Sequence, residues 1–111
     1  MTPEEFRRLA LSLRGAVELS HMGHPDFRVN GRIFASLGHP DEASGMVKLT
    51  PAQQREWMTR HPGVFEPCSG AWGRAGATHV RLTTARAAMV KPALLAAFDN
   101  ALTVTLKRRR A

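Results

Sequence analysis

Six side chains in this sequence could meet a polyanion: Arg28, Arg32, Lys48, Arg74, His79 and Arg81. Four of them occupy the polar position of an apolar/polar alternation. Arg28 falls between Phe27 and Val29, Lys48 between Val47 and Leu49, and His79 and Arg81 among Thr78, Val80 and Leu82. Successive side chains of a strand point to opposite faces, so these four are expected to leave the core together. Arg32 follows Asn30-Gly31 at a hairpin tip, and Arg74 lies in a glycine-rich segment. A basic sheet face with protruding hairpins suits contacts to phosphate oxygens. Lys and Arg are equally the ordinary way an antiparallel sheet meets water, so the pattern supports a binding surface and a merely solvated one. No helix-turn-helix pattern, zinc-finger spacing or aromatic RNA-binding motif is present, so base-sequence readout is not expected.

Three smaller constellations were weighed. His21, His24 and Asp26 are metal-capable, but an ion needs three or four converging ligands, and His24-Pro25-Asp26 is better explained as turn chemistry. No metal site is expected. Cys68 after Pro67 could be a nucleophile only beside a base, and the spacing places none. Trp72, between Gly70 and Gly73, either plugs a loop onto the core or stands out as a stacking surface. With no acid, base and ligand set converging, the chain reads as non-catalytic and without a cofactor.

The elements that position these residues are legible in outline. Thr2, Pro3 and Glu5 form a helix start with capping-box spacing, and Phe6, Leu9, Ala10 and Leu13 make one apolar stripe over Pro3–Leu13. A short strand, Ala16–Ser20, follows. Phe27–Phe34 is two alternating segments joined by Asn30-Gly31, a two-residue turn whose central positions need positive φ. Continuous pairing from that turn places Arg28 opposite Ile33 and Phe27 opposite Phe34. Phe27, Val29 and Phe34 then face the core, and Ile33, Ala35 and Leu37 the other side. Residues 39–45 read as a loop, and Met46–Leu49 as a strand with Val47 and Leu49 inward.

Thr50-Pro51 with Gln53 opens a second helix to about Arg60, with Trp57 and Met58 as its inner residues and Gln54 less firmly so. Val64–Glu66 is a possible short strand, Pro67–Gly76 a shaped loop, and Ala77–Thr83 a strand. Pro92 argues against one long helix from Thr84, so the last helix is placed at Lys91–Arg108, with Val90, Leu94, Ala97, Phe98, Ala101 and Leu102 buried. The fold class is α+β: an antiparallel sheet of about five to six strands with helices packed on one face.

At 111 residues the chain is read as one domain spanning 1–111, and an apolar share of 43% is ordinary for a globular protein. Sixteen Lys and Arg stand against nine Asp and Glu, but Lys107–Arg110 contributes four of the cations, leaving twelve against nine elsewhere. That tail either attracts polyanions or simply offsets a helix dipole. A single cysteine, with no apolar run of bilayer length and no signal-peptide core, fits a cytoplasmic protein.

The chain resembles the MmcQ/YjbR-like proteins. The likeness rests on Phe6 with Leu9-Ala10-Leu11, on His24–Val29 with Gly31–Ala35, on Val47-Lys48-Leu49, on Pro51 with Gln54, and on Gly70-Ala71-Trp72-Gly73 before Thr78. It implies an α-β(3)-α-β(2)-α fold near frataxin-like and secretion-chaperone-like architectures, and a double-wing DNA-binding role inferred from shape. Ala77 stands where the family often has a bulkier residue, and the arginine-rich end is not a feature the resemblance ascribes to the family in general. The expectation is a monomeric DNA-binding domain acting through phosphate contacts. The alternative is a protein-interaction module using Ile33, Ala35 and Leu37.

Overall fold

The computed structural model describes residues 1–110, with the side chains of residues 105–110 outside the description. The order is α1 (Pro3–Leu11), β1 (Val17–His21), β2 (His24–Val29), β3 (Arg32–Leu37), β4 (Ser44–Lys48), α2 (Pro51–Arg60), β5 (Phe65–Pro67), α3 (Gly70–Arg74), β6 (Ala77–Arg81) and α4 (Ala87–Arg110). All six strands join one antiparallel sheet in the order β1-β2-β3-β4-β6-β5. Both expected capping boxes form: Thr2 and Thr50 accept from the backbone of Glu5 and Gln53, whose side chains bond back.

The Asn30-Gly31 turn has φ of 50° and 78°, the left-handed pair that only a glycine-tolerant turn supports. Beyond it, the register departs from continuous pairing. Val29 faces Arg32 and Arg28 faces Ile33, but Phe27 pairs with Ala35. Phe34 is therefore the extra residue of a β-bulge. The bulge reverses the alternation after Ile33, so Phe34, Ala35 and Leu37 all lie in the core and only Ile33 keeps the outward position. The patch expected from Ile33, Ala35 and Leu37 does not exist.

One face of the sheet is covered by α1 and α4. Phe6 packs on Phe27 with ring centroids 6.2 Å apart, and Phe34 meets Phe98 edge-on at 5.5 Å. The expected stripe of α4 is buried from Val90 to Ala101, with Leu102 partly so. The helix starts at Ala87 and continues through Pro92, against the expected break. Proline removes the bond to the carbonyl of Ala88, which is exposed and can be met by water. Ala87–Val104 is long and apolar enough by composition to cross a bilayer. Its buried stripe lies on the sheet, however, and Lys91 and Asp99 are exposed, as in a core helix of a globular fold.

The segment expected as a loop contains the single-turn helix α3. A Cβ on Gly73 would lie 1.6 Å from the Cys68 carbonyl oxygen, so the turn can press against that backbone only without a side chain. Trp57 and Met58 pack partly buried against the core as expected, and Gln54, the less firmly placed inner residue, is the most buried residue of α2. Its Nε2 donates toward the carbonyls of Gly73 (3.0 Å) and Ala77 (3.1 Å) and the Thr78 hydroxyl (3.1 Å), while Thr78 Oγ1 donates to Gly76 O at 2.7 Å. This buried set locks α3 and β6 to α2.

The two sheet edges differ. β5 has three residues and ends in Pro67, which cannot donate to a further strand. β1 has five exposed residues, with Val17 and Leu19 about half exposed on the side away from the helices. Its Glu18 accepts from Arg7 Nε at 2.8 Å, tying α1 to the strand.

Replacing Gln54 by Ala strands these buried acceptors. Such a loss costs about 2 kcal/mol and should appear as a lower urea midpoint with an unchanged m-value.

Candidate functional site

Cross-strand pairing lays out the open face in rows. Leu19, Asp26, Ser36, Met46, His79 and Glu66 are successive partners across all six strands. The middle of this row is not basic. Met46 is buried with Cys68, Ala77 and the partly buried Ile33, forming a small second core on this side.

The six expected cations are split by this arrangement. Arg28, Arg32 and Lys48 line one groove of about 480 Å³ between the Asn30-Gly31 turn, the start of α2 at Thr50-Pro51, and α4 at Asn100, Ala101 and Val104. Among the described residues no carboxylate lines it. Asn100 Nδ2 donates to Lys48 O at 3.3 Å and to Gln53 Oε1 at 2.7 Å, so the groove walls are bonded to one another. Arg74 is exposed and precedes Ala75, another lining residue.

Within the groove, the charge of Arg28 is already partnered. Its Nε and Nη2 donate to the two carboxylate oxygens of Asp26 at 2.8 and 3.0 Å. The hydrogen bonds to Asp26, which is 2% exposed, push the guanidinium pKa above its ordinary value despite some desolvation. Lys48 Nζ stands 6.0 Å from the centroid of the Trp72 ring, within cation–π range. Trp72 is 49% exposed and is not a core plug.

Arg81 lies elsewhere, with Nη2 3.7 Å from Glu66 Oε1 in an exposed pair that also borders Asp41. His79 is not a cation at neutral pH. Burial lowers its pKa and His39 adds to that, while Glu66 and Asp41 oppose it. Its Nδ1 is buried without a hydrogen-bond partner.

A feature that alternation did not reveal is a cavity of about 240 Å³ on the open face. His21, His24, His39 and His79 line it, together with Met22, Ile33, Met46, Lys48 and Trp72. The Met22-Gly23 turn, with φ of 51° and 80°, brings His21 and His24 together as paired residues, and His39 packs edge-on against His24 with centroids 6.0 Å apart. Methionine at positive φ is unusual, so the sequence carried only Gly23 as a turn signal. Among the described residues no group of three or more His, Cys, Asp or Glu is arranged to hold a metal ion. Cys68 is buried, and burial, with a smaller effect of Glu66, pushes its pKa to about 11, so it is a thiol at neutral pH.

These features define a small α+β domain with α1 and α4 on one face of an antiparallel sheet and, on the other, the single-turn α3, an apolar cavity and a cationic groove at one edge. A sequence model of the YjbR family matches residues 11–100, and the chain belongs to that family. The crystal structure of Deinococcus radiodurans protein DR2400, described as a DUF419 domain, shares this fold: TM-score 0.70, 18% identity, covering 87% of this chain and 75% of that one. No curated protein matches.

Two outcomes follow from the electrostatics. Arg28→Met leaves Asp26 buried and unpaired, so it should lower stability at pH 7, and adding Asp26→Asn should recover part of the loss in a urea double-mutant cycle. His79 binds its proton less readily folded than unfolded, so its contribution is intact above the ordinary imidazole pKa and lost as pH falls through it. Thermal midpoints measured from pH 7.5 down to about 5.5 should decline less steeply for His79→Gln than for the parent.

Proposed function

We propose that this domain binds duplex DNA through backbone phosphates, without base-sequence specificity and without catalysing a reaction. The observation that carries this reading is the groove lined by Arg28, Arg32 and Lys48 with no carboxylate in its wall among the described residues. Phosphate neutralisation by such cations supplies sequence-independent affinity. The N-terminus of α2 adds a dipole that favours anions on the same side. The hairpin tip at Asn30-Gly31 is the wing that would enter a DNA groove. Arg74 is the next cation along, whereas Arg81 and His79 drop out of the contact set. α4 borders the groove at Val104, while the side chains of Lys107–Arg110 lie outside the described residues.

A second reading, a protein-interaction module, is favoured by one observation. Val17 and Leu19 stand exposed along the unpaired edge of β1. An extended peptide adding to that edge would cover both.

With Arg28 neutralised by Asp26, the two free groove cations Arg32 and Lys48 give a log–log salt slope of about −2 on duplex DNA, rising to about −3 if Arg74 also reaches a phosphate. Arg32→Ala or Lys48→Ala should weaken binding uniformly across sequences and reduce the slope by about 1, while Arg81→Ala leaves both unchanged. Absence of binding at low salt overturns the proposal. Loss of all affinity on deleting Lys107–Arg110 moves the site from the groove to the tail.

A further inference from the structure

The cavity on the open face adjoins the phosphate groove at Ile33 and Lys48, which border both, and shares no other lining residue with it. Its floor and wall are apolar: Ile33, Met46 and the ring of Trp72. Against that surface stand two polar groups with unmet bonding capacity. His79 Nδ1 is buried and has no partner, which ordinarily costs a folded protein free energy unless something fills the position. Lys48 has no carboxylate within ion-pair distance among the described residues; its ammonium rests over Trp72.

The register brings these two groups together. Met46 is paired with His79 and Lys48 with Ala77, so Lys48 and His79 are diagonal neighbours on one face, at a spacing that long side chains bridge. The one carboxylate in the lining, Asp26, has both oxygens held by Arg28 and does not repel a second anion as a free charge would. The size is also selective. An apolar cavity of about 150 Å³ accepts benzene, so about 240 Å³ admits one ring, or a short branched chain, with a carboxylate attached.

We propose that this cavity binds a small monocarboxylic acid with an aromatic or branched apolar body. The carboxylate accepts from Lys48 Nζ and from the neutral His79 imidazole, which lines the cavity. The body lies on Ile33, Met46 and Trp72. The ring of Trp72 and the exposed Met22 stand at the mouth, where a side chain can close over the ligand.

The test is an NMR titration of the full chain with phenylacetate, using 2-phenylethanol and acetate as probes that lack the charge and the ring. Saturable shifts with phenylacetate, centred on Ile33, Met46, Trp72 and His79, are expected, with both control probes binding about tenfold or more weakly. Lys48→Met should weaken phenylacetate by about tenfold while leaving 2-phenylethanol unchanged. Trp72→Ala, at a half-exposed position, should weaken phenylacetate and 2-phenylethanol alike, with the backbone amide shifts of the sheet core checking that the fold is kept. Three results overturn the proposal: no saturable shift at the solubility limit, equal binding of acetate, or shifts confined to Arg28 and Arg32. The last would mean that the acid is only a counter-ion of the groove. Because DNA binding is read separately by salt dependence and by Arg32→Ala, failure of either proposal leaves the other standing.

Discussion

The structure depends on one inserted residue. Phe34 is an extra position in β3, and without it the strand could not serve both faces of the sheet as it does. Strict alternation from Ile33 would send Ala35 and Leu37 outward and leave α4 facing serine. With the bulge, Phe34 reaches Phe98 while Ala35 still pairs with Phe27 and Val47 beneath the helices. The outward side then receives Ile33 and Ser36, which line the apolar cavity. Core and cavity are thus two results of the same local irregularity, and bulges are features that re-aim side chains in this way.

Electrostatics sorts the open face into regions with different chemistry. Asp26 takes both arms of Arg28, Glu66 takes Arg81, and burial keeps His79 neutral. What reads as a continuous basic face in a list of residues is a short cationic groove at one end, an apolar cavity in the middle, and a neutral pair at the other end. Spacing alone counts charges; partners decide which of them act on solvent or ligand.

Much of the fold was legible because its signals are local. Thr2-Pro3 with Glu5 and Thr50-Pro51 with Gln53 are complete capping boxes within four residues, and Asn30-Gly31 names its own turn. The alternation of Thr78, Val80 and Leu82 correctly gave the inward side of β6. The misses are all non-local. The bulge is set by what Phe34 meets on α4, the Phe98 ring more than sixty positions further along the chain and invisible to a period-two count. Gln54 reads as an inner residue of α2, but what its amide bonds is not readable until the carbonyls of Gly73 and Ala77 are brought to it. Pro92 stays in a helix because the orphaned carbonyl faces water. Of the six candidate site residues, Arg28, Arg32 and Lys48 come together as alternation and turn chemistry imply, whereas Arg81 and His79 are set apart by Glu66 and by burial, neither of which a strand pattern encodes.

The unequal edges of the sheet have a consequence for assembly. A strand can add beside β1, but the opposite border is only three residues long and closes with Pro67. Growth from one border alone cannot propagate. Two copies joined edge to edge about a two-fold axis would use up both open borders and present only blocked ones outward, so the pairing would end as a closed object. The short, proline-terminated strand is in this sense a stop signal. It allows the first edge to stay apolar and accessible without committing the chain to fibre formation.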